Sequence, residues 1–502
     1  MQPTPEQASC VEQFATGRRL RINAYAGTGK TSTLTMIAKS TPRLGTYLAF
    51  NRSIADEAGR KFPRTVSCST VHGLAFRAMK RTYNTDKMTG SVNAGFIAAK
   101  LGLKRSMIAP GLEISERGRG FLISETVKRW QRSGRPAITK LDVPIEGKLE
   151  TLSDRELAPI KAGIAQQASS LWGQMIDPAS DMPLGHDGYL KLWALGRPTI
   201  PGDYILLDEA QDTNGVVLEL AKHQGAQVVA VGDKHQQIYE WRGARNAMVE
   251  LAADAEARLS TSFRFGLGIA DYATGILQLL DEKVPLKGNP DRESVLGPID
   301  RPDAILTRTN GQLLEELRIA LDDGLTPYIV GGVNELLTYL GAAEKLMRAQ
   351  AVEYPLDFFG FKDWSDVEEA SKLEGGAELQ RWVRLFEKHE PTNLRGILER
   401  LPKNERDADI ILSTGHKSKG REWDAVRLCD GFLPGVQSEA EERAKGALPM
   451  NGEADYAAEL RLFYVAATRG KVKLEIPPVL NARLEKLAKL AAKSQRKPEL
   501  VS

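Results

Sequence analysis

The sequence predicts an α/β protein made of two parallel-sheet halves, each interrupted by a mostly helical insertion. Short apolar runs alternate with helical stretches in both halves of the 502-residue chain, the pattern of strand–helix–strand units. Leu20–Ala24, Thr46–Phe50, Tyr204–Leu207 and Val228–Val231 read as buried strands of the first half. Ala304–Thr307, Pro327–Val330, Asp409–Thr414 and Ala425–Cys429 read as those of the second. The alternation lapses at about residues 81–195 and again between Asn334 and Asn404. The expected bodies are 1–80 with 196–272, and 273–333 with 405–502. The expected insertions are 81–195 and the shorter 334–404.

Composition narrows the class without naming an activity. With 42% hydrophobic and 26% charged residues, the chain is ordinary for a soluble globular protein. No apolar run approaches the ~18 residues of a membrane span, and the polar Met1–Glu6 start is unlike a signal peptide. Cys10, Cys68 and Cys429 are far apart, which argues against a disulfide framework or zinc ribbon and for a cytoplasmic setting. The net charge of +3 is too small to imply nucleic acid by itself. Residues 81–140 are the exception, with 12 Lys/Arg against 4 Asp/Glu, a surface suited to duplex phosphates or simply to solvent.

The segment Ala24–Thr31 (AYAGTGKT) follows a strand and precedes a helix, the setting of a phosphate loop. Backbone N–H groups of Ala26, Gly27, Thr28 and Gly29 would close around phosphates, with Ser32 in the helix's first turn. Lys30 would neutralise the terminal phosphates and the Thr31 hydroxyl would bind Mg²⁺. Asp208 and Glu209 directly follow the apolar Tyr204–Leu207 run, at the strand end where open α/β sheets bind ligands. Asp208 is the second metal ligand in this reading, and Glu209 orients and deprotonates the attacking water. The pair points to ATP hydrolysis with Mg²⁺.

The order of these and later segments resembles superfamily 1A DNA helicases of the UvrD/Rep/PcrA group. Thr4–Gln7 looks like the family's glutamine motif, Phe50–Ser53 like motif Ia and Ser69–His72 like motif Ib. Val231–Ala244 is close to motif III, Ser262–Arg264 to motif IV, Thr414–Asp424 to motif V and Glu459–Arg469 to motif VI. The resemblance implies two RecA-like P-loop motor domains with ATP between them. It gives Gln7 the adenine edge, Gln236 a γ-phosphate sensor, and Arg264 and Arg469 the role of arginine fingers. Tyr239, Arg242 and Glu422 are implied supports of the nucleotide pocket.

For the strand track, the resemblance implies base stacking by Trp241 and backbone contacts from Asn51, Arg52, Thr70 and His72 on the first domain. Thr414, His416, Lys419 and Trp423 would act from the second. Ala49 stands where the family carries an aromatic, so Phe50 is expected to end a strand as a buried residue. The short second insertion is similar to that of the F-box helicase branch. The implied activity is ATP-driven 3′→5′ movement on single-stranded DNA, with opening of single-strand/duplex junctions. A translocase that unwinds little, and a DNA-binding subunit without turnover, are the competing readings.

Overall fold

All the apolar runs read as strands form strands, and each is paired in parallel. The computed structural model describes residues 2–109, 112–240, 243–372, 377–388, 390–434, 436 and 453–495. The strands in chain order are β1 (Leu20–Ala24), β2 (Gly45–Ala49), β3 (Val66–Thr70), β4 (Ser106–Ala109), β5 (Leu112–Ile114), β6 (Tyr204–Leu207) and β7 (Gln227–Gly232). They continue with β8 (Ala255–Leu259), β9 (Val295–Leu296), β10 (Ala304–Thr307), β11 (Pro327–Ile329), β12 (Ile410–Thr414), β13 (Trp423–Leu428) and β14 (Gly470–Glu475). One six-stranded sheet has the order β3-β2-β6-β7-β1-β8 and the other β11-β12-β10-β13-β14-β9. Both are parallel throughout, so every crossover carries the chain over a sheet face and most strands are buried.

Strands β3, β8, β9 and β14 were not visible as apolar runs. β3 and β8 lie at the edges of the first sheet and carry exposed or half-buried positions, which lets Ser67, Glu256 and Arg258 occupy them. β14 lies between β13 and β9, with Lys471 and Lys473 half-buried on either side of an exposed Val472 and only Gly470 and Leu474 fully buried. Phe50 lies beyond the end of β2 and is 58% exposed. The chain has already turned toward the helix Arg52–Lys61, so Phe50 faces solvent instead of filling the core.

Between β3 and β6 the chain makes its long helical excursion, which includes Glu116–Arg132 and Asp154–Ile176. Ser115 caps the first of these, and Ser153 with Glu156 forms a capping box on the second. The shorter helical excursion lies between β11 and β12. The two excursions touch: Lys148 Nζ lies 2.7 Å from Asp366 Oδ2, Arg117 Nε lies 3.0 Å from Glu353 Oε2, and Phe359 is buried in the core of the first excursion.

Helix Leu267–Leu279, which the expected boundary at residue 272 divides, packs as one unit. Its Ile269, Ala270, Ala273, Ile276 and Leu277 share a core with Phe463 and Leu474 of the second half. That same core takes in Tyr25, Ala26 and Ile238 from the first half, so apolar packing is continuous across the junction at the phosphate loop. Among the described residues, no helix is long and apolar enough to cross a membrane.

Candidate nucleotide site and strand track

The phosphate loop leaves β1 at Ala24 and closes with Gly27 (φ 73°) and Gly29 (φ 76°) in left-handed backbone. A side chain on Gly27 would also fall 2.5 Å from Ser262 Oγ and 2.7 Å from Arg264 Cβ, so glycine serves both the turn and the close approach. Gly29 then caps helix Lys30–Lys39 without a side-chain hydrogen bond, which leaves first-turn N–H groups available to an anion.

Lys30 Nζ lies 2.9 Å from Glu209 Oε1. Burial pulls the Lys30 ammonium down, but Glu209 and Asp208 outweigh it and hold its pKa above the usual value. Burial likewise pushes Glu209 up, yet Lys30 and Lys419 bring it down to about 2. Its neighbour Asp208 is raised, by burial first and by Glu209 second. Glu209 sits at φ 49°, a costly conformation for a side-chain-bearing residue, directly at the end of β6. Among the described residues, no set of three His, Cys, Asp or Glu side chains forms a self-sufficient metal cage. Thr31 Oγ1 and Asp208 Oδ2 lie 3.4 Å apart, and this hard-oxygen pair fits Mg²⁺, which takes few protein ligands and completes its shell with phosphate and water.

The second half reaches this site directly. Arg264 Nη1 donates to the Thr468 carbonyl at 2.9 Å, and Arg264 Nε lies 2.6 Å from Glu422 Oε2. Arg469 is 1% exposed, and among the described residues its hydrogen bonds go to neutral oxygens of Val465, Arg421 and Thr468. Burial and the nearby Arg264 cation pull its pKa down. A buried guanidinium with those partners is suited to an anion. Lys419 pairs with Asp212 and donates to the Gln236 carbonyl at 2.6 Å, so it faces the acids of the nucleotide site and not open solvent. Gln236 Nε2 donates to Asp233 Oδ2 at 2.8 Å.

Gln7 closes a capping box with Thr4, and its Nε2 donates to Thr33 at 3.3 Å, which seats the amide against the phosphate-loop helix. Tyr239 donates to the His416 carbonyl at 2.9 Å. Together with Thr414, Arg308 and Trp382 it lines a cavity of about 610 Å³. Trp423 opens β13 with its ring packed in the core of the second half, and its backbone N–H donates to the Arg469 carbonyl, so it supports the motif VI backbone. Asn51 and Thr70 cap helices Arg52–Lys61 and Val71–Met79. His72 meets Asp187 at 3.4 Å, and the Arg52 side chain is almost fully exposed. Trp241 and Arg242 lie outside the described residues.

Sequence reading missed four residues that the fold brings into the site. The Tyr47 hydroxyl donates to Asp208 Oδ2 at 2.6 Å, and Gln211 Nε2 donates to Glu209 Oε2 at 2.5 Å. Phe263 approaches Gly29, and Tyr464 reaches the phosphate loop from the second half. Tyr464 and Phe263 lie inside segments already recognised as motifs, and Gln211 lies two residues past Glu209, which was the available signal. Tyr47 had none, because a buried strand position reads only as core.

Comparison with known proteins agrees with this arrangement. Residues 201–255 match the UvrD/REP helicase N-terminal domain, and residues 334–478 match the UvrD-like helicase C-terminal domain. The F-box DNA helicase 1 of Gallus gallus is 29% identical over 97% of this chain and 49% of its own length. The F-box DNA helicase protein 1 of Schizosaccharomyces pombe is 30% identical over 96% of this chain and 58% of its own. The chain thus spans about half the length of the curated relatives it matches. It carries both the N-terminal and the C-terminal domain of UvrD-like helicases in one polypeptide, with the phosphate loop meeting motif VI between two parallel sheets.

Proposed function

We propose that the chain is an ATP-driven DNA helicase that moves 3′→5′ on single-stranded DNA. The observation that carries this reading is Arg469, a buried cation from the second half set beside Arg264 with neutral hydrogen-bond partners. A γ-phosphate entering between the halves would pair with this cation and draw the two sheets together.

Within that cleft Lys30 neutralises the phosphates, and Glu209, already ionised, takes the proton of the attacking water. Arg264 and Arg469 stabilise charge on the transferring phosphoryl group. Thr31 and Asp208 would hold Mg²⁺, whose chemistry is charge neutralisation between the outer phosphates. Phe263, half-exposed over Gly29, offers a flat face to the adenine. Alternating closure and release moves the two halves over the strand, which Asn51, Arg52, Thr70 and His72 hold on one side and Thr414 and His416 on the other. Trp241 belongs to the stacking surface of this reading, and Arg242 to the nucleotide pocket.

A second reading, displacement of proteins with little unwinding, draws on the short second excursion. Lys148–Asp366 and Arg117–Glu353 pin it to the first excursion. ATPase assays with tailed duplexes of both polarities, run beside strand-separation and streptavidin-displacement assays, distinguish the two. Lys30→Ala should abolish turnover. Glu209→Gln should bind ATP and fail to hydrolyse it, and parental rates in either variant would refute the site.

A further inference from the structure

The helix Glu453–Ala467 of the second half carries a tyrosine whose hydroxyl is spent wholly on the first. Tyr464 is fully buried. Its oxygen accepts from the Ala26 N–H of the phosphate loop at 3.2 Å and donates to Asp233 Oδ2 at 3.0 Å. Asp233 is itself buried at the end of β7, and its other oxygen accepts from the His235 N–H at 3.0 Å.

From Asp233 the hydrogen bonding continues toward the catalytic acid. The Asp233 N–H donates to Gln211 Oε1 at 3.1 Å, and Gln211 Nε2 donates to Glu209 Oε2 at 2.5 Å. The other oxygen of Glu209 receives Lys30 at 2.9 Å. Gln211 is seated tightly: a side chain on Gly232 would stand 2.3 Å from its Oε1, so glycine at that position leaves room for the amide. Tyr464, Asp233 and Gln211 are buried and Glu209 is partly buried, so losing a link among the first three leaves a donor or acceptor unsatisfied away from water.

We propose that Tyr464 is a positioning residue that reports the approach of the second half to Glu209 through Asp233 and Gln211. Resting on the ATPase reading above, the inference adds how closure of the cleft is felt by the water-activating carboxylate. When the halves are together, the hydroxyl holds Asp233, Asp233 holds the Gln211 amide, and the amide aims Glu209. When they part, Ala26 and Asp233 lose their shared partner and Glu209 loses its orientation. Arg264 and Arg469 act on the phosphate, whereas this chain of contacts acts on the attacking side of the reaction.

The test uses the full chain with MgATP and a saturating poly-dT oligonucleotide. Tyr464→Phe keeps the ring and removes the hydroxyl. It should lower DNA-stimulated kcat about tenfold, with KM for ATP within about twofold and the unfolding midpoint within about 2 °C of the parent. Asp233→Asn combined with Tyr464→Phe should be no slower than the slower single variant, because both remove one pathway. Gln211→Leu, approaching from the first half, should show the same split between kcat and KM, and it decides the matter if the Tyr464 variant melts early. Parental kcat in Tyr464→Phe, or losses that multiply in the double variant, would overturn the inference while leaving the ATPase reading intact. Absence of any DNA-stimulated turnover in the parent would instead remove the reading on which it rests.

Discussion

The Arg264 guanidinium is held by two groups of the opposite half, with Nε 2.6 Å from Glu422 Oε2 and Nη1 2.9 Å from the Thr468 carbonyl. Arg264 follows β8 of the first sheet, so one side chain both faces the phosphate loop and ties the sheets together.

Arg264→Ala should therefore lower kcat by about 10³-fold while nucleotide binding, read with a fluorescent ATP analogue, falls far less. Arg264→Lys should not restore the rate, because an ammonium cannot reproduce the planar fork. Full rescue by lysine would reduce the contact to simple charge.

Tyr47 has no counterpart among the recognised motifs, yet its hydroxyl lies 2.6 Å from the Mg²⁺-binding candidate Asp208. Tyr47→Phe should leave the first core packed and free the carboxylate to rotate. The Mg²⁺ concentration for half-maximal ATPase is expected to rise several-fold, and metal-dependent protection of the ATP-bound protein from thermal unfolding should weaken in parallel. An unchanged Mg²⁺ titration would make the contact purely structural.

Phe50 and Arg52 are both exposed just after the end of β2. Removing the ring in Phe50→Ala should weaken single-stranded DNA binding by about 1–3 kcal/mol if it stacks on a base. Arg52→Ala should weaken binding and reduce the salt dependence by about one counterion. Neither change should move the unfolding midpoint, since both side chains face solvent. Equal affinities at low salt would take the strand elsewhere.

The contact of His72 with Asp187 makes a prediction in pH. Burial raises the Asp187 carboxyl, but hydrogen bonds and charge from His72 and Arg132 outweigh it and hold the group at about 2. The folded pKa lies below the unfolded value of ~3.9, so this stabilisation is complete above that pH and is lost as pH falls through about 2. Asp187→Asn should cost about 2 kcal/mol at pH 7, and parent and variant midpoints should converge near pH 2. A constant gap over that range would assign the loss to packing.

Much of the molecule was legible along the chain. Strands buried on both faces are almost continuously apolar, so Tyr204–Leu207 and Ala304–Thr307 announced themselves, while Leu20–Ala24 showed as an alternation broken by Arg21 and Asn23. The phosphate loop and the Asp208–Glu209 pair were equally plain, because their chemistry is confined to a few adjacent residues. Edge strands such as β8 hid behind their charged positions, and Phe50 looked like the end of a strand until the turn at Asn51 carried it outward.

What the sequence by itself determined is the two-sheet plan, the local nucleotide motifs and their order, since these depend on neighbouring residues and on side-chain period. Tertiary structure alone decided which distant groups meet: Tyr464 with Ala26 and Asp233, Lys419 with Asp212, and Tyr47 with Asp208. Those pairings lie 161 to 438 residues apart along the chain. They exist because parallel strands bring their C-terminal ends to one edge of each sheet, where the two halves face each other.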